Sequence, residues 1–291
     1  MRNISLKDLV WVLRGIDWTI GEFGDYSKIV IIRFLIRHLF AKLPISLVAT
    51  ETGISRPMIY RAAENSALIE ITDGIHLRLD IPTLRTKLAF DEEWLLTMNK
   101  QILGIVKKIR ELKEVELAIL SGSFARKKAG PDSDVDVLIV SRNKKIRLPC
   151  DLTIMTPEEF NQQYTRGNDF IASSLAWGIV IKIQSDYEEY FLRRPPEPHN
   201  SICEMHEKLA IEKAKKALKN ANRIAREYAK SAIIHYHRAK LCRKGYNILP
   251  SNRELTQVAE TLKNKQMKKD LELLEKNQWK NTVYRILEEL Y

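Results

Sequence analysis

One stretch constrains this chain more than any other: Leu120-Ser121-Gly122-Ser123-Phe124-Ala125-Arg126, followed by Ser133-Asp134-Val135-Asp136-Val137-Leu138-Ile139-Val140. Val135 to Val140 is a β-branched apolar run of strand length, and side chains alternate faces along a strand, so Asp134 and Asp136 project from the same face. Two carboxylates sharing one site repel, and one of them tends to hold a proton unless a cation intervenes. Hard carboxylate oxygens with no Cys or His nearby suit Mg²⁺ or Mn²⁺ rather than zinc.

Val115 to Leu120 reads as a buried strand that runs into Gly122-Ser123, and Phe124 to Lys128 has helix-forming composition. A Gly-Ser turn opening a helix offers unpaired backbone N–H groups to an anion. Gly122 permits close backbone approach, the Ser123 hydroxyl adds a hydrogen bond, and Arg126 is counted with them as a phosphate partner. A third carboxylate, Asp151, lies on the next apolar stretch, Leu148 to Met155, where it can serve a second cation and take a proton from an acceptor hydroxyl.

Gly122-Ser123, then Ser133-Asp134-Val135-Asp136, then Asp151 resembles the DNA polymerase β-like nucleotidyltransferase superfamily, in particular its minimal branch. The resemblance covers Asp91 to Ser185, roughly a third of the chain. It implies that Gly122, Ser123 and Arg126 hold a nucleoside triphosphate, ATP by expectation, and that Asp134, Asp136 and Asp151 are the catalytic, metal-binding carboxylates.

Composition bounds the rest. With 291 residues, 45% apolar and 29% charged, the chain is long enough for two or three domains with separate cores. The longest apolar run, Ile29 to Phe40, is broken by Arg33 and Arg37 and is too short to span a bilayer. With no secretory signal pattern at Met1, no membrane is expected and a cytoplasmic location is. Cys150, Cys203 and Cys242 are widely spaced and form no CxxC, so they are expected to be reduced packing residues. The formal charge of +11 favours a polyanionic partner.

In chain order, Leu6 to Phe40 predicts two helices broken near Gly21 to Asp25. Ile45 to Arg61 has helix-turn-helix spacing: Ala49 at the crossing, Gly53 at the turn, Ser55 as cap and Ile59 returning to the core. Leu68 to Thr72 and Ile75 to Leu79 around Asp73-Gly74 predict a β-hairpin. Together they look like a winged helix, used either for DNA or for dimerisation and domain packing. Arg56, Tyr60 and Arg61 are its candidate nucleic-acid contacts, although residues 46–79 hold three arginines and no lysine against four acidic residues, a net of −1.

Glu92 to Leu112 predicts one helix covering the transferase sheet, and Thr156-Pro157-Glu158-Glu159 a capping box. Trp177-Gly178 leads into a last strand at Ile179 to Ile183. Leu192 to Asn200 reads as a linker. Ser201 to Lys244 predicts a long Ala-striped helical region that Gly245 ends, with twelve Lys/Arg against four Glu. Lys215, Lys216, Lys219, Arg223 and Arg226 are candidate phosphate contacts there, or else a solvated face. A helix from Pro250 and apolar positions to Leu290 would close a bundle faintly resembling the HEPN type, without its Arg/His signature; His235 and His237 read as packing or surface residues.

The expected fold class is therefore α+β and multidomain: a winged helix (1–88), a small mixed-sheet nucleotidyltransferase core (89–190), a linker (191–200) and a basic α-helical bundle (201–291). The expected activity is metal-dependent and moves a nucleoside monophosphate from an NTP to a hydroxyl acceptor. RNA ends, a protein Tyr or Ser and a small molecule all fit the motif, and the basic charge tilts the reading toward nucleic acid, DNA at the winged helix or RNA at the bundle. Alternatives are an antitoxin-like AMPylating transferase that modifies a protein, or a DNA-binding regulator whose core senses a nucleotide or is inactive.

Overall fold

The computed structural model describes residues 25–126, 129–130, 133–246 and 264–290. The helix expected from Leu6, the start of the helix expected at Pro250, and Lys127 and Lys128 lie outside them. Two compact units emerge, one of Met1–Asn161 with Ser174–Pro195, the other of Gln162–Ser173 with Pro196–Tyr291.

The first unit begins with helix α1 (Tyr26–Ile36), whose first turn is capped by the Asp25 carboxylate accepting from the Ser27 N–H at 2.8 Å. Helices α2 (Ile45–Thr52) and α3 (Arg56–Glu64) follow, and Gly53 ends α2 with φ 71°, a left-handed conformation that favours glycine. Ile59 on α3 is fully buried. Ser55 occupies the N-cap position with extended backbone but makes no side-chain capping bond, so its expected role is not taken up; Pro57 near the start of α3 leaves fewer N–H groups to satisfy.

Strands β1 (Ile69–Ile71) and β2 (Ile75–Leu77) form the expected antiparallel hairpin. The Asp-Gly pair acts differently from the usual hairpin rule. Gly74 does not have positive φ; it is small because Leu43 bridges to Ile75, and a Cβ there would lie 3.0 Å from the Leu43 carbonyl oxygen.

The single helix expected over Glu92 to Leu112 is two helices, α4 (Ile81–Leu96) and α5 (Lys100–Glu111). Asn99 makes the break, its side chain accepting from the Ile102 N–H at 3.0 Å, because an Asn side chain caps a new helix better than it continues an old one. Helix α4 runs through residue 88 without interruption.

Four strands follow: β3 (Val115–Leu120), β4 (Asp136–Ser141), β5 (Asp151–Met155) and β6 (Ile179–Ile183). Their order is β5-β4-β3-β6, with β4 and β5 parallel and the other pairs antiparallel. Between β3 and β4 lies a four-residue helical turn, α6 (Gly122–Ala125), shorter than the helix expected there. Helices α7 (Pro157–Thr165) and α8 (Asp169–Trp177) join β5 to β6. The capping box forms as expected: the Thr156 N–H donates to Glu159 at 2.9 Å and the Glu159 N–H to the Thr156 hydroxyl at 3.2 Å. Leu95, Ile102, Ile105 and Ile109 from α4 and α5 pack on Ala118, Leu120, Val137, Ile139, Ile179 and Ile181 to form the core on one sheet face.

A buried ion pair fastens α4 to β6. Lys87 Nζ donates to Asp91 Oδ2 at 2.8 Å and to the Gly178 carbonyl at 2.8 Å, while the Val180 N–H donates to the same Asp91 oxygen at 2.9 Å. Burial pushes the Asp91 carboxyl above its ordinary range, and Lys87 pulls it back.

In the second unit the long helix expected from Ser201 folds back as α9 (Asn200–Lys219) and α10 (Asn222–Cys242). Asn220 takes an extended conformation at the break and donates to the Lys216 carbonyl at 2.8 Å, satisfying an orphan group of α9. The alanine stripe explains the reversal: Ala210, Ala214 and Ala217 of α9 and Ala225 and Ala229 of α10 share one buried cluster, because small residues let two helices approach closely. Helices α11 (Lys265–Glu275) and α12 (Lys280–Leu290) contribute Met267, Val283 and Ile286 to it. His237 is buried and lies 2.8 Å from Asp270; His235 meets His206 at 2.9 Å and is pushed down to about 4, by burial first and His206 second.

The same reversal corrects the cysteine expectation. Cys203, near the start of α9, and Cys242, at the end of α10, meet at the open end of the hairpin and form a disulfide with Cα atoms 5.4 Å apart. Sequence spacing of 39 residues hides a pairing that an antiparallel return creates. No helix among the described residues is long and apolar enough to cross a membrane.

Removing one member of a buried ion pair leaves an uncompensated charge, which costs about 3–5 kcal/mol. Lys87→Met should lower unfolding free energy by about that much in a denaturant titration, and Lys87→Met with Asp91→Leu should recover only part of it, because the Gly178 carbonyl and the Val180 N–H lose their partners.

Candidate active site at the acidic sheet edge

Strand direction gathers the chemistry at one edge. The C-terminal end of β3, the N-terminal ends of β4 and β5 and the start of β6 coincide there, because β3 is antiparallel to β4 and β6 while β4 and β5 are parallel. Asp136 and Asp151 are register partners on neighbouring strands. The Ser121 N–H donates to the Asp136 carbonyl at 2.8 Å and the Asp151 N–H to the Val135 carbonyl at 2.9 Å, so the ladder itself sets both positions.

Gly122 closes the site. Its φ of 65° disfavours any L side chain, and a Cβ added to it would sit 1.9 Å from Asp136 Oδ2. The Asp136 carboxyl thus occupies the space that a side chain at 122 would need. Ser123 follows in the turn, half-buried, and the Ser121 hydroxyl is buried with no hydrogen-bond partner.

The electrostatics follow from this crowding. Asp136 is held above the ordinary carboxylate range by burial first, then by the negative charges of Asp151 and Asp134. The neighbouring Cys150 thiol is pushed up to about 11, by burial and then by Asp151 and Asp136. Asp134 and Asp151 are exposed and Asp136 is half-buried, an arrangement open to a ligand. Among the described residues no three His, Cys, Asp or Glu side chains stand close enough to hold a metal ion, so the three carboxyls share a field without forming a closed cage.

The donor set nevertheless fits a hard divalent cation. It is all carboxylate, and the mutual repulsion that raises Asp136 is what such a cation would relieve. Arg126, expected to face phosphate, stacks its guanidinium 4.0 Å from the Trp177 ring centroid, beside the α6 turn.

The nucleic-acid candidates lie elsewhere. Arg56, Tyr60 and Arg61 are exposed on α3, with Tyr60 48% accessible and Met58 beside it at 44%. In the second unit Lys215, Lys216, Lys219, Arg223 and Arg226 are all exposed, and Lys216 is bonded to Glu212 at 2.6 Å.

Sequence reasoning missed Lys87, Asp91 and Trp177. An oppositely charged i, i+4 pair within one helix was the available signal for the first two, and the other charges of that helix, Arg85, Glu92 and Glu93, hide it; Trp177 marks only the approach to a strand.

Residues 100–219, from the start of α5 to the end of α9, match the family model of the nucleotidyltransferase domain. Over that span the chain is similar to that family. A crystal structure of a nucleotidyltransferase-like protein from Exiguobacterium sibiricum 255-15 is similar to this chain at 16% identity, covering 66% of this chain and 73% of that one with a TM-score of 0.36. No curated protein matches the chain.

Two variants test the geometry. Gly122→Ala should destabilise the protein by about 1–2 kcal/mol from the left-handed backbone alone, and it should displace the Asp136 carboxyl. Asp136→Asn should have a melting temperature at pH 7 no lower than wild type. A carboxyl raised in the folded state binds protons more readily there than in the unfolded chain, so its ionisation costs stability as pH rises above the ordinary carboxylate range. The difference between the two proteins should vanish near pH 3, where Asp136 is protonated in both states.

Proposed function

We propose that the acidic sheet edge transfers a nucleoside monophosphate from an NTP, by default ATP, to an acceptor hydroxyl, releasing pyrophosphate. The observation that carries this reading is the fit of the Asp136 carboxyl into the space left by Gly122, with Asp151 beside it in register. A phosphate-binding turn and paired acids are thereby held at one edge.

In this reading the N–H groups of Gly122 and Ser123 and the Ser123 hydroxyl hold the triphosphate, and Arg126 adds positive charge at the end of the turn. Asp134, Asp136 and Asp151 would hold Mg²⁺ or Mn²⁺, which neutralises phosphate charge and stabilises attacking and leaving oxygens when bound. Asp151, exposed at the start of an edge strand, accepts the proton of the acceptor hydroxyl. This reading takes the cytoplasm as the compartment in which the NTP donor is met.

Nucleic acid is the acceptor we favour. The formal charge of +11 supports it, as do five exposed cations on α9 and α10. Helices α1 to α3 with the β1–β2 hairpin are read as a winged helix extending to about residue 88, and α9 to α12 as a basic bundle of HEPN-like layout after a linker at 191–200. A second reading is favoured by exposed Arg56, Met58, Tyr60 and Arg61 on α3: a DNA-binding regulator whose transferase site senses a nucleotide.

The full chain, incubated with labelled ATP, Mg²⁺ and either total RNA or cell extract, separates these. Label in RNA supports the favoured acceptor, and label in a protein band supports an AMPylating, antitoxin-like role. Label in neither, with a shifted DNA duplex that Arg56→Glu/Arg61→Glu abolishes, supports the regulator. Asp134→Asn or Asp136→Asn should abolish labelling with melting temperature preserved; full activity of the double variant would overturn the assignment.

A further inference from the structure

Beside the α6 turn, and distinct from the acidic edge, α1, α4 and the start of β6 line an open cavity of about 100 Å³. Phe90, Trp94 and Trp177 are among its lining residues, with Ile36 and Ile179 adding apolar surface. Its charged lining is unevenly paired. Arg33 is bonded to Glu93 and Lys87 to Asp91, which leaves Arg37 as the lining cation without a carboxylate or hydrogen-bond partner among the described residues.

Arg37 is anchored by an aromatic ring instead. Its guanidinium lies 3.7 Å from the Trp94 ring centroid. Arg37 is exposed to solvent on its other side; partial burial first, and the positive charge of Arg33 second, hold it down to about 10, so it remains charged at neutral pH with no carboxylate beside it.

We propose that this cavity is a second ligand site, one that takes a single planar aromatic ring bearing one carboxylate. The aromatic walls accept the ring, and the planar fork of Arg37 matches a carboxylate. Two neutralised pairs leave room for one negative charge. Size bounds the class: drug-sized ligands need about 300 Å³ or more, so a nucleotide is too large, and since a cavity of roughly 150 Å³ holds benzene, a single ring would also use the open side of this one.

The site would also speak to the acidic edge. Ala125 of the α6 turn lines the cavity, and Trp177 lines it while carrying Arg126. A ring seated against Trp177 therefore bears on the residue that flanks Gly122 and Ser123. This inference does not rest on nucleotidyl transfer, and its test reads binding alone.

The probe is benzoate, titrated calorimetrically into the full chain, with benzamide as the uncharged isostere. Benzoate should bind with a Kd of about 1 mM or tighter and raise the melting temperature, and benzamide should bind about tenfold more weakly or not at all. Arg37→Met should lose about tenfold or more in benzoate affinity, with Arg37→Lys intermediate. Absence of benzoate binding to the wild type overturns the proposal. So does equal affinity for benzamide, or unchanged benzoate affinity in Arg37→Met. Should Arg37→Met fail to fold, the contrast between benzoate and benzamide on the wild type, together with Arg37→Lys, decides.

Discussion

The site depends on a missing atom. Because Gly122 has no Cβ, the Asp136 carboxyl can sit against the backbone of the turn that follows β3, at a distance any side chain would forbid. That approach brings the turn's N–H groups and the acidic strand ends into one small region. The sheet supplies the rest of the alignment, since the parallel pairing of β4 with β5 sets Asp151 opposite Asp136. Asp136 and Cys150 are raised by burial first and by the neighbouring carboxylates second, so crowding adds to a cost that desolvation begins.

Support for this edge comes from behind. Helices α4 and α5 cover one sheet face with branched apolar side chains, and the Lys87–Asp91 pair ties α4 to the backbone at Gly178 and Val180. Gly178 is itself enclosed, since a Cβ there would lie 2.2 Å from Ile119 and 2.3 Å from the Ser174 carbonyl. The start of β6 is thus held on both sides. Trp177, one residue earlier, connects this fixed point to Arg126. The second unit relies on a different principle, with alanine faces packing helix against helix and cations left on the outer surface.

Much of the first unit was legible because its signals are local. A β-branched run between turn residues marks β3 and β4 almost to the residue, and the capping box at Thr156 is a short-range hydrogen-bond pattern that needs nothing from the rest of the chain. Errors fell where a local pattern had two continuations. The apolar stripe from Leu95 to Leu112 keeps helical period across Asn99, yet the Asn side chain ends one helix and starts another. The alanine stripe from Ala210 to Ala229 looked like one helix seeking a partner, and its partner is its own second half. The Asp-Gly hairpin formed, but its glycine answers to Leu43, 31 residues away in the sequence.

Residue order by itself determined the strand with its paired acids, the Gly-Ser turn before it, the third acid after it and the cationic helices near the end of the chain. Each is a matter of side-chain type and spacing within one element, where alternation and propensity decide. Tertiary structure alone decided which strands are neighbours, that Asp136 fills the space above Gly122, that Lys87 reaches the carbonyl of Gly178, that Cys203 meets Cys242, and that Arg37 faces an aromatic cavity without a carboxylate. Those are long-range pairings, and they follow from how elements pack, which no window of sequence contains.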